Sequence, residues 1–226
     1  MDGLIGDAGR LVASFVAGSG GSVFDASTLK EPYRVEGKKT MGLEIVEQLG
    51  WRVPDVIVYP TGGGVGLIGI YKALLELQEL GWIADRLPRL VAVQSSGCAP
   101  VVKAYADGAD ECAPWPDPDT VAFGINVPKP LGDFLILQAV RASEGTAVAV
   151  DDADTLREVS RCASLEGLFV CPEGAAALAA VGALRASGWI SAADEVVVLN
   201  TGTGVIYPDT VGNEAPVLRP SDEIPA

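Results

Sequence analysis

The chain of 226 residues contains no histidine. Histidine is the usual general base beside a serine or cysteine nucleophile, and it is a common zinc ligand. Its absence therefore excludes a Ser-His or Cys-His hydrolytic site and a mixed Cys/His zinc site. The four cysteines include no Cys-x-x-Cys pair; they are Cys98, Cys112, Cys162 and Cys171. We therefore predict no bound metal ion.

Basic residues and long apolar runs are also scarce. Lysine and arginine number 16 against 30 acidic residues, and the resulting net charge of −14 opposes nucleic-acid phosphates and anionic lipids. No run reaches the roughly 18 apolar residues of a membrane span, and the amino-terminal residues lack a secretory charge pattern. Hydrophobic residues make up 49% of the chain, as in globular proteins. We expect a cytoplasmic protein that binds neither nucleic acid nor membrane.

The segment at residues 55–71 contains the densest glycine cluster next to a predicted strand. Residues 56–59 form a short apolar run typical of a covered parallel strand. Apolar residues then recur at helical spacing from Leu67 to Leu77. Between them lie Gly62, Gly63, Gly64, Val65 and Gly66. Backbone N–H groups that converge at a helix N-terminus favour a phosphate, although a tight turn could need these glycines only for its dihedral angles.

The glycine turn does not by itself identify the phosphate. A P-loop requires lysine and a hydroxyl residue where this chain has Leu67 and Ile68, so nucleotide hydrolysis is disfavoured. The dinucleotide pattern G-x-G-x-x-G fits only loosely, at Gly62 and Gly64, and an acidic ribose partner downstream is ambiguous.

Predicted strands and helices alternate along the chain. Further strands are expected at residues 90–94, 146–150, 168–171 and 195–200, and helices at 4–17, 40–49, 99–106, 133–142, 151–164 and 175–184. This order predicts one α/β domain over residues 1–226, with an open, mostly parallel sheet, flanking helices and an extended tail from residue 213. A second turn, at residues 201–204, also follows a strand, so both turns should open on the same side of the sheet.

Basic side chains cluster just before the helix predicted to start at Thr40. They include Arg34, Lys38 and Lys39. Such a group is commonly a solvated loop; the alternative is that it attracts an anionic substrate.

Six segments of the chain resemble the threonine synthases, within the pyridoxal-phosphate enzymes of the tryptophan-synthase β type (fold type II). They are residues 31–42, 59–69, 92–102, 127–137, 171–176 and 199–204, and together they span nearly the whole chain. The resemblance implies the large domain of such an enzyme, with pyridoxal 5'-phosphate as cofactor. It also implies conversion of the amino-acid phosphate O-phospho-L-homoserine, with water, to L-threonine and phosphate.

The resemblance also implies roles for individual residues. The turn at residues 62–66 would hold the cofactor phosphate, and the Thr201 hydroxyl would lie against the pyridine nitrogen. A neutral hydroxyl leaves that nitrogen largely unprotonated, which suits β,γ-elimination and replacement chemistry. Glu173 would lie near the edge of the ring or behind the residues that touch it; alternatively, it is a helix N-terminal acid favoured by the dipole. Independently of the resemblance, the positive charge of Arg34, Lys38 and Lys39 predicts that they steer the anionic substrate.

One departure from the family concerns its cofactor-binding lysine, which lies in a Ser-x-Lys context far upstream of the glycine loop. Only 61 residues precede Gly62, and no lysine of the chain has that context. We therefore expect no catalytic residue here and a missing small domain, from which the helix within residues 1–20 would return. A separate small-domain chain could be the partner. The uncovered apolar face would favour a homo-oligomer.

Three alternatives remain open from the sequence. The first is another fold type II enzyme, such as a serine/threonine dehydratase or a cysteine synthase-like protein. The second is a non-catalytic domain that binds phosphate or a partner subunit. The third, a nucleotide-binding module, is weakened by the missing P-loop lysine.

Overall fold

The computed structural model describes residues 3, 5–84, 86–210 and 219–220. Within them the helices are α1 (Ile5–Gly18), α2 (Tyr33–Gln48), α3 (Val65–Glu79), α4 (Pro100–Ala106), α5 (Asp133–Ala142), α6 (Asp152–Glu166) and α7 (Pro172–Ala186). The strands are β1 (Val56–Pro60), β2 (Arg89–Ser95), β3 (Thr146–Val150) and β4 (Val196–Val198). Short 3-10 helices span Phe123–Ile125, Gly204–Ile206 and Pro208–Thr210.

The four strands form one parallel sheet in the order β3-β2-β1-β4. The central strand β1 pairs with β2 through Tyr59 opposite Ala92, and with β4 through Val58 opposite Val198. Each pair of neighbours is parallel, so the carboxyl ends of all four strands lie at one edge. The predicted α/β fold class is confirmed.

Helices cover both faces of β1. Its residues Val56 and Val58 pack in a cluster with the small alanines of α7, whereas Ile57 and Tyr59 pack in a second cluster with residues of α3 and α5. All five residues of β1 are buried. A strand covered on both faces reads as a continuous apolar run because neither set of alternating side chains meets water.

The prediction of a strand at residues 168–171 is wrong. Within this segment only Val170 forms a bridge, an isolated one with Thr203. Leu168 is exposed, and α7 begins at Pro172. The segment is apolar enough for a strand, but it pairs only with the short stretch at residues 202–204, through this bridge and two backbone hydrogen bonds, and with no strand of the sheet.

Helix α2 begins at Tyr33, well before the predicted start at Thr40. The carboxylate of Glu31 accepts hydrogen bonds from the backbone N–H groups of Tyr33 and Arg34. These bonds satisfy donors that a helix start otherwise leaves unpaired. The basic residues assigned to a loop therefore lie on the first turns of a helix, for which lysine and arginine have good intrinsic propensity.

Two further expectations concern the ends of the chain and its surroundings. Apart from residues 219 and 220, the predicted tail from residue 213 lies outside the described residues. Among the helices of the described residues, none combines the length and the apolar character that crossing a bilayer requires.

Candidate functional site

A cleft of about 310 Å³ lies at the carboxyl ends of β1 and β4. Its wall includes the glycine turn at residues 62–66, which follows β1, and Thr201 and Gly202, which follow β4. Because β1 and β4 are parallel neighbours, their carboxyl-terminal turns emerge side by side. The expectation that the two turns open on the same side is confirmed.

The glycine turn presents backbone without side chains. Gly64 is the N-cap of α3 and has φ of +79°, a left-handed conformation, and no side chain caps this helix. The first N–H groups of a helix have no intrahelical acceptor. A Cβ on Gly62 would lie 2.6 Å from the carbonyl oxygen of Gly124, and one on Gly64 would overlap Ile136. Gly62 and Gly64 must therefore be glycine, because neighbouring atoms leave no room for a Cβ. The first backbone N–H groups of α3 remain uncapped at the cleft.

Gln94 fixes the start of the glycine turn. Its amide nitrogen donates to the carbonyl oxygen of Thr61 (3.1 Å), and its amide oxygen accepts from the backbone N–H of Val101 (2.8 Å). The Thr61 N–H in turn donates to the carbonyl oxygen of Val93 (2.7 Å). Sequence reasoning missed this role. The available indication was the polar side chain of Gln94, which follows the apolar residues of β2.

Thr201 and Cys171 adjoin each other in the cleft wall. The Cys171 sulfur accepts the backbone N–H of Gly174 (3.4 Å) and so caps α7. Burial raises the pKa of the Cys171 thiol, and hydrogen bonds from Gly174 and Thr201 only partly oppose this rise. The thiol therefore stays protonated at neutral pH, and the exposed Thr201 lies beside it in the cleft wall.

Glu173 is held in the cleft wall by two neutral donors. One carboxylate oxygen, Oε1, accepts from the backbone N–H of Gly124 (2.6 Å) and from the hydroxyl of Tyr207 (2.6 Å). The residue is only 5% exposed. Burial and then the hydrogen bond to Glu173 raise the pKa of Tyr207, so its hydroxyl remains a donor. Among the described residues that line the cleft, Glu173 is the only charged one.

The predicted basic residues lie at or beyond the edge of this cleft. Arg34 reaches it indirectly, since its guanidinium donates to the hydroxyl of Thr28 (2.8 Å), which lines the cleft. Lys38 is exposed and is not part of the wall.

Lys39 also lies outside the wall, because it pairs with acidic residues of α2 and α3. Its ammonium nitrogen is 2.6 Å from both Glu36 and Glu76, and these partners raise its pKa. The structure thus brings the glycine turn, Thr201 and Glu173 together but leaves Lys38 and Lys39 apart from them. A substrate role for the three basic residues stays a prediction.

Several wall residues were not predicted from the sequence. They are Thr28, Gly124, Ile125, Ile206 and Tyr207. Each lies in a turn, a loop or a short 3-10 helix, where no periodic pattern marks a buried or functional face. The one available indication was an aromatic residue, Tyr207, close behind the turn at residues 201–204.

Comparisons with known proteins identify the family of the chain. The sequence profile described as "Pyridoxal-phosphate dependent enzyme" matches residues 2–202. The chain belongs to the pyridoxal-phosphate dependent enzyme family. The predicted family and its cofactor are therefore confirmed.

Curated relatives of this pyridoxal-phosphate family member are named threonine synthase. The protein of Methanosarcina acetivorans is 41% identical over 180 residues, which are 80% of this chain and 44% of the relative. The protein of Methanocaldococcus jannaschii is 34% identical over 85% of this chain and 46% of the relative. That of Mycobacterium bovis is 35% identical, with coverages of 84% and 50%. The chain thus spans about half the length of the curated relatives it matches.

Solved structures share the fold. Processed threonine deaminase isoform 2 of Solanum lycopersicum aligns with a TM-score of 0.69 at 17% identity, covering 89% of this chain and 56% of that one. Maize serine racemase aligns with a TM-score of 0.66 at 21% identity, covering 92% and 61%. At these identities the likeness concerns the fold alone.

The residues of the cleft fit pyridoxal phosphate. The cleft has the size of a small-molecule site, uncapped N–H groups and a helix N-terminus lie at the glycine turn, and a hydroxyl lies at Thr201. No lysine is among the described residues that line it.

Proposed function

We propose that this cleft binds pyridoxal 5'-phosphate, with the phosphate at residues 62–66 and the ring nitrogen at Thr201. We further propose that the protein takes part in a threonine synthase-like reaction, in which O-phospho-L-homoserine and water give L-threonine and phosphate. The observation that carries the proposal is that the bare glycine turn and Thr201 line one cleft.

The chain's own residues would act mainly by binding and orienting. The N–H groups and the dipole of α3 would neutralise a phosphate without help from a basic side chain in the described wall. Thr201 would meet the ring nitrogen with a neutral hydroxyl, and Glu173 would present a fixed hydrogen-bond acceptor. When bound, pyridoxal phosphate supplies a ring that stabilises negative charge developing on substrate carbon.

The curated relatives favour a threonine synthase over other enzymes with this fold. They are 34–41% identical to the chain. The serine racemase and threonine deaminase structures, at 21% and 17% identity, support only the fold. A phosphorylated substrate, a cytoplasmic location and a separate chain that completes the enzyme belong to the proposal.

Binding is tested with pyridoxamine 5'-phosphate, which carries the phosphate and ring nitrogen but has no aldehyde to react with surface lysines. We expect saturable binding by fluorescence titration and competition by inorganic phosphate. Thr201→Val should weaken binding about fivefold, since it removes one hydrogen bond, and Thr201→Ser should retain it. Thr40→Val, on exposed α2 outside the cleft, is the matched control. Absence of binding to the folded wild-type protein would refute the proposed cofactor site.

Activity is tested by supplying the amino-terminal part of the Methanosarcina acetivorans relative as a separate chain. The expected result is release of phosphate from O-phospho-L-homoserine with formation of L-threonine. Release of ammonia from serine or threonine would instead identify a dehydratase. Cofactor binding without either reaction would favour the non-catalytic alternative.

A further inference from the structure

The segment that follows β4 contributes to the cleft although it lies beyond the family match, which ends at residue 202. Residues 204–206 form a 3-10 helix, and both Ile206 and Tyr207 line the cleft. The family match therefore does not describe this part of the wall.

One backbone hydrogen bond holds this segment against the rest of the domain, and a second closes the 3-10 turn within it. The Gly204 N–H donates to the carbonyl oxygen of Phe169 (2.8 Å), and the Tyr207 N–H donates to the carbonyl oxygen of Gly204 (2.8 Å). Gly204 is buried, and a Cβ on it would overlap the Phe169 ring. We call this contact between Gly204 and Phe169 the anchor. With the segment held in this way, the Tyr207 hydroxyl lies 2.6 Å from Glu173.

The Glu173 carboxylate depends on neutral hydrogen-bond donors for its stability in the cleft wall. It is buried, and no basic side chain is among the described residues of the cleft wall. A buried carboxylate needs hydrogen-bond donors to offset its lost hydration. The Gly124 N–H and the Tyr207 hydroxyl both donate to Oε1, from two separate segments of the chain. Two donors on one oxygen restrict rotation of the carboxylate about its last torsion.

We propose that Tyr207 is a positioning residue, which fixes the Glu173 carboxylate in the cleft wall as an oriented acceptor for the bound ligand. This inference deepens the proposed function and rests on it for the identity of the ligand. The role assigned to Tyr207 is exerted through Glu173 and requires no contact between Tyr207 and the ligand.

The positioning role can be measured without a ligand. Amide hydrogen exchange at Gly124, followed by nuclear magnetic resonance, reports whether its N–H still donates to Glu173. Tyr207→Phe should raise the exchange rate at Gly124 about tenfold, because the carboxylate loses one of the donors that orient it. The matched control is Tyr105→Phe, which also removes a hydroxyl donor, to the carbonyl oxygen of Gly145 (2.9 Å), outside the cleft. Unchanged exchange at Gly124 in Tyr207→Phe would overturn the inference.

The consequence for binding is measured by a double-mutant cycle with pyridoxamine 5'-phosphate. Tyr207→Phe should weaken binding about tenfold in the wild-type background and have no effect in a Glu173→Met background, where no side-chain oxygen is left for the hydroxyl to orient. Equal weakening in both backgrounds would overturn the inference. If the wild-type protein does not bind the probe, the proposed cofactor function fails, and the Gly124 measurement alone then decides the role of Tyr207.

A second variant covers the case in which Tyr207→Phe does not fold. Glu173→Gln should let Tyr207 ionise at lower pH, as followed by the Cζ resonance of that ring, because the carboxylate that opposes its phenolate is gone. The other groups that face the hydroxyl are the Cys171 thiol and the Gly124 N–H. An unchanged Tyr207 titration would count against the contact on which the inference depends.

Discussion

Asp133 is a buried charge at the start of α5 that stabilises a neighbouring loop. Its Oδ2 accepts from the ammonium of Lys129 (2.5 Å) and from the backbone N–H of Cys112 (2.8 Å). It thereby ties the proline-rich loop around residue 112 to the start of α5. Burial would raise the pKa of Asp133, but Lys129 and backbone N–H groups outweigh it, so the pKa is lowered. A lowered carboxyl pKa stabilises the folded state above the unfolded-state value and loses that effect as pH falls through the folded value.

We predict that Asp133→Asn lowers the free energy of unfolding at pH 7 by about 2 kcal/mol, since a charged acceptor of buried hydrogen bonds is lost. The difference from wild type should shrink as pH falls below about 4, where the aspartate of the unfolded state takes up a proton, and should be lost once pH has passed the lower folded-state pKa of Asp133. Urea denaturation across this pH range measures it. Asp110→Asn is the control, since its side chain is 97% exposed and should change stability by less than about 0.5 kcal/mol. A pH-independent difference would contradict the assignment.

Helices α2 and α3 pack closely because glycines lie between them. A Cβ on Gly69 would lie 2.7 Å from the Cβ of Lys38, and one on Gly42 would lie 2.8 Å from the Cβ of Ala73. The backbone of α2 therefore approaches that of α3, the helix whose N-terminus presents the glycine turn. The ion pairs of Lys39 with Glu76, and of Lys72 with Glu36, join the same two helices at their exposed edge.

We predict opposite effects of alanine at two glycines of this helix pair. Gly69→Ala should destabilise the protein by about 1–3 kcal/mol, because α2 must move away to admit the methyl group. Gly37→Ala should stabilise it by about 0.5–1 kcal/mol, since a Cβ there meets open space and alanine is the better helix former. Thermal and urea unfolding measure both changes. Equal effects of the two substitutions would show that the close packing does not limit stability.

The molecule as a whole exposes an apolar helix. No residue of α1 is buried, and its apolar side chains Leu11 and Phe15 are 62% and 68% exposed. Exposed apolar patches mark surfaces that associate, whereas the net charge of −14 keeps copies apart. Either the predicted small domain or a second copy of the chain would cover this helix, and both stay predictions.

We expect concentration-dependent self-association that increases with salt, because screening weakens the repulsion between acidic chains while apolar contacts persist. The paired change Leu11→Gln with Phe15→Ser should reduce it, as measured by light scattering and sedimentation velocity. Leu165→Gln, on α6, removes an apolar side chain that is 65% exposed and serves as the control. A monomer at all concentrations and salt levels would contradict this expectation.

Local patterns were sufficient for much of the architecture. The apolar run of β1, the glycine turn and the periodic residues of α3 were predicted together, because each reflects the dihedral angles and burial of a few neighbouring residues. The segment at residues 168–171 shows the limit of this reasoning. Its composition suits a strand, but a strand also needs a partner of similar length, and the chain places beside it only the short stretch at residues 202–204.

The family, the parallel α/β architecture and the position of the glycine turn follow from the order of residues, since glycine dihedral angles and apolar periodicity are local properties. Only the tertiary structure decides that this turn, Thr201, Glu173 and Tyr207 share one cleft. Their meeting depends on the parallel pairing of β1 with β4, which are separated by more than half of the chain. It also depends on an anchor between Phe169 and Gly204 that no periodicity encodes.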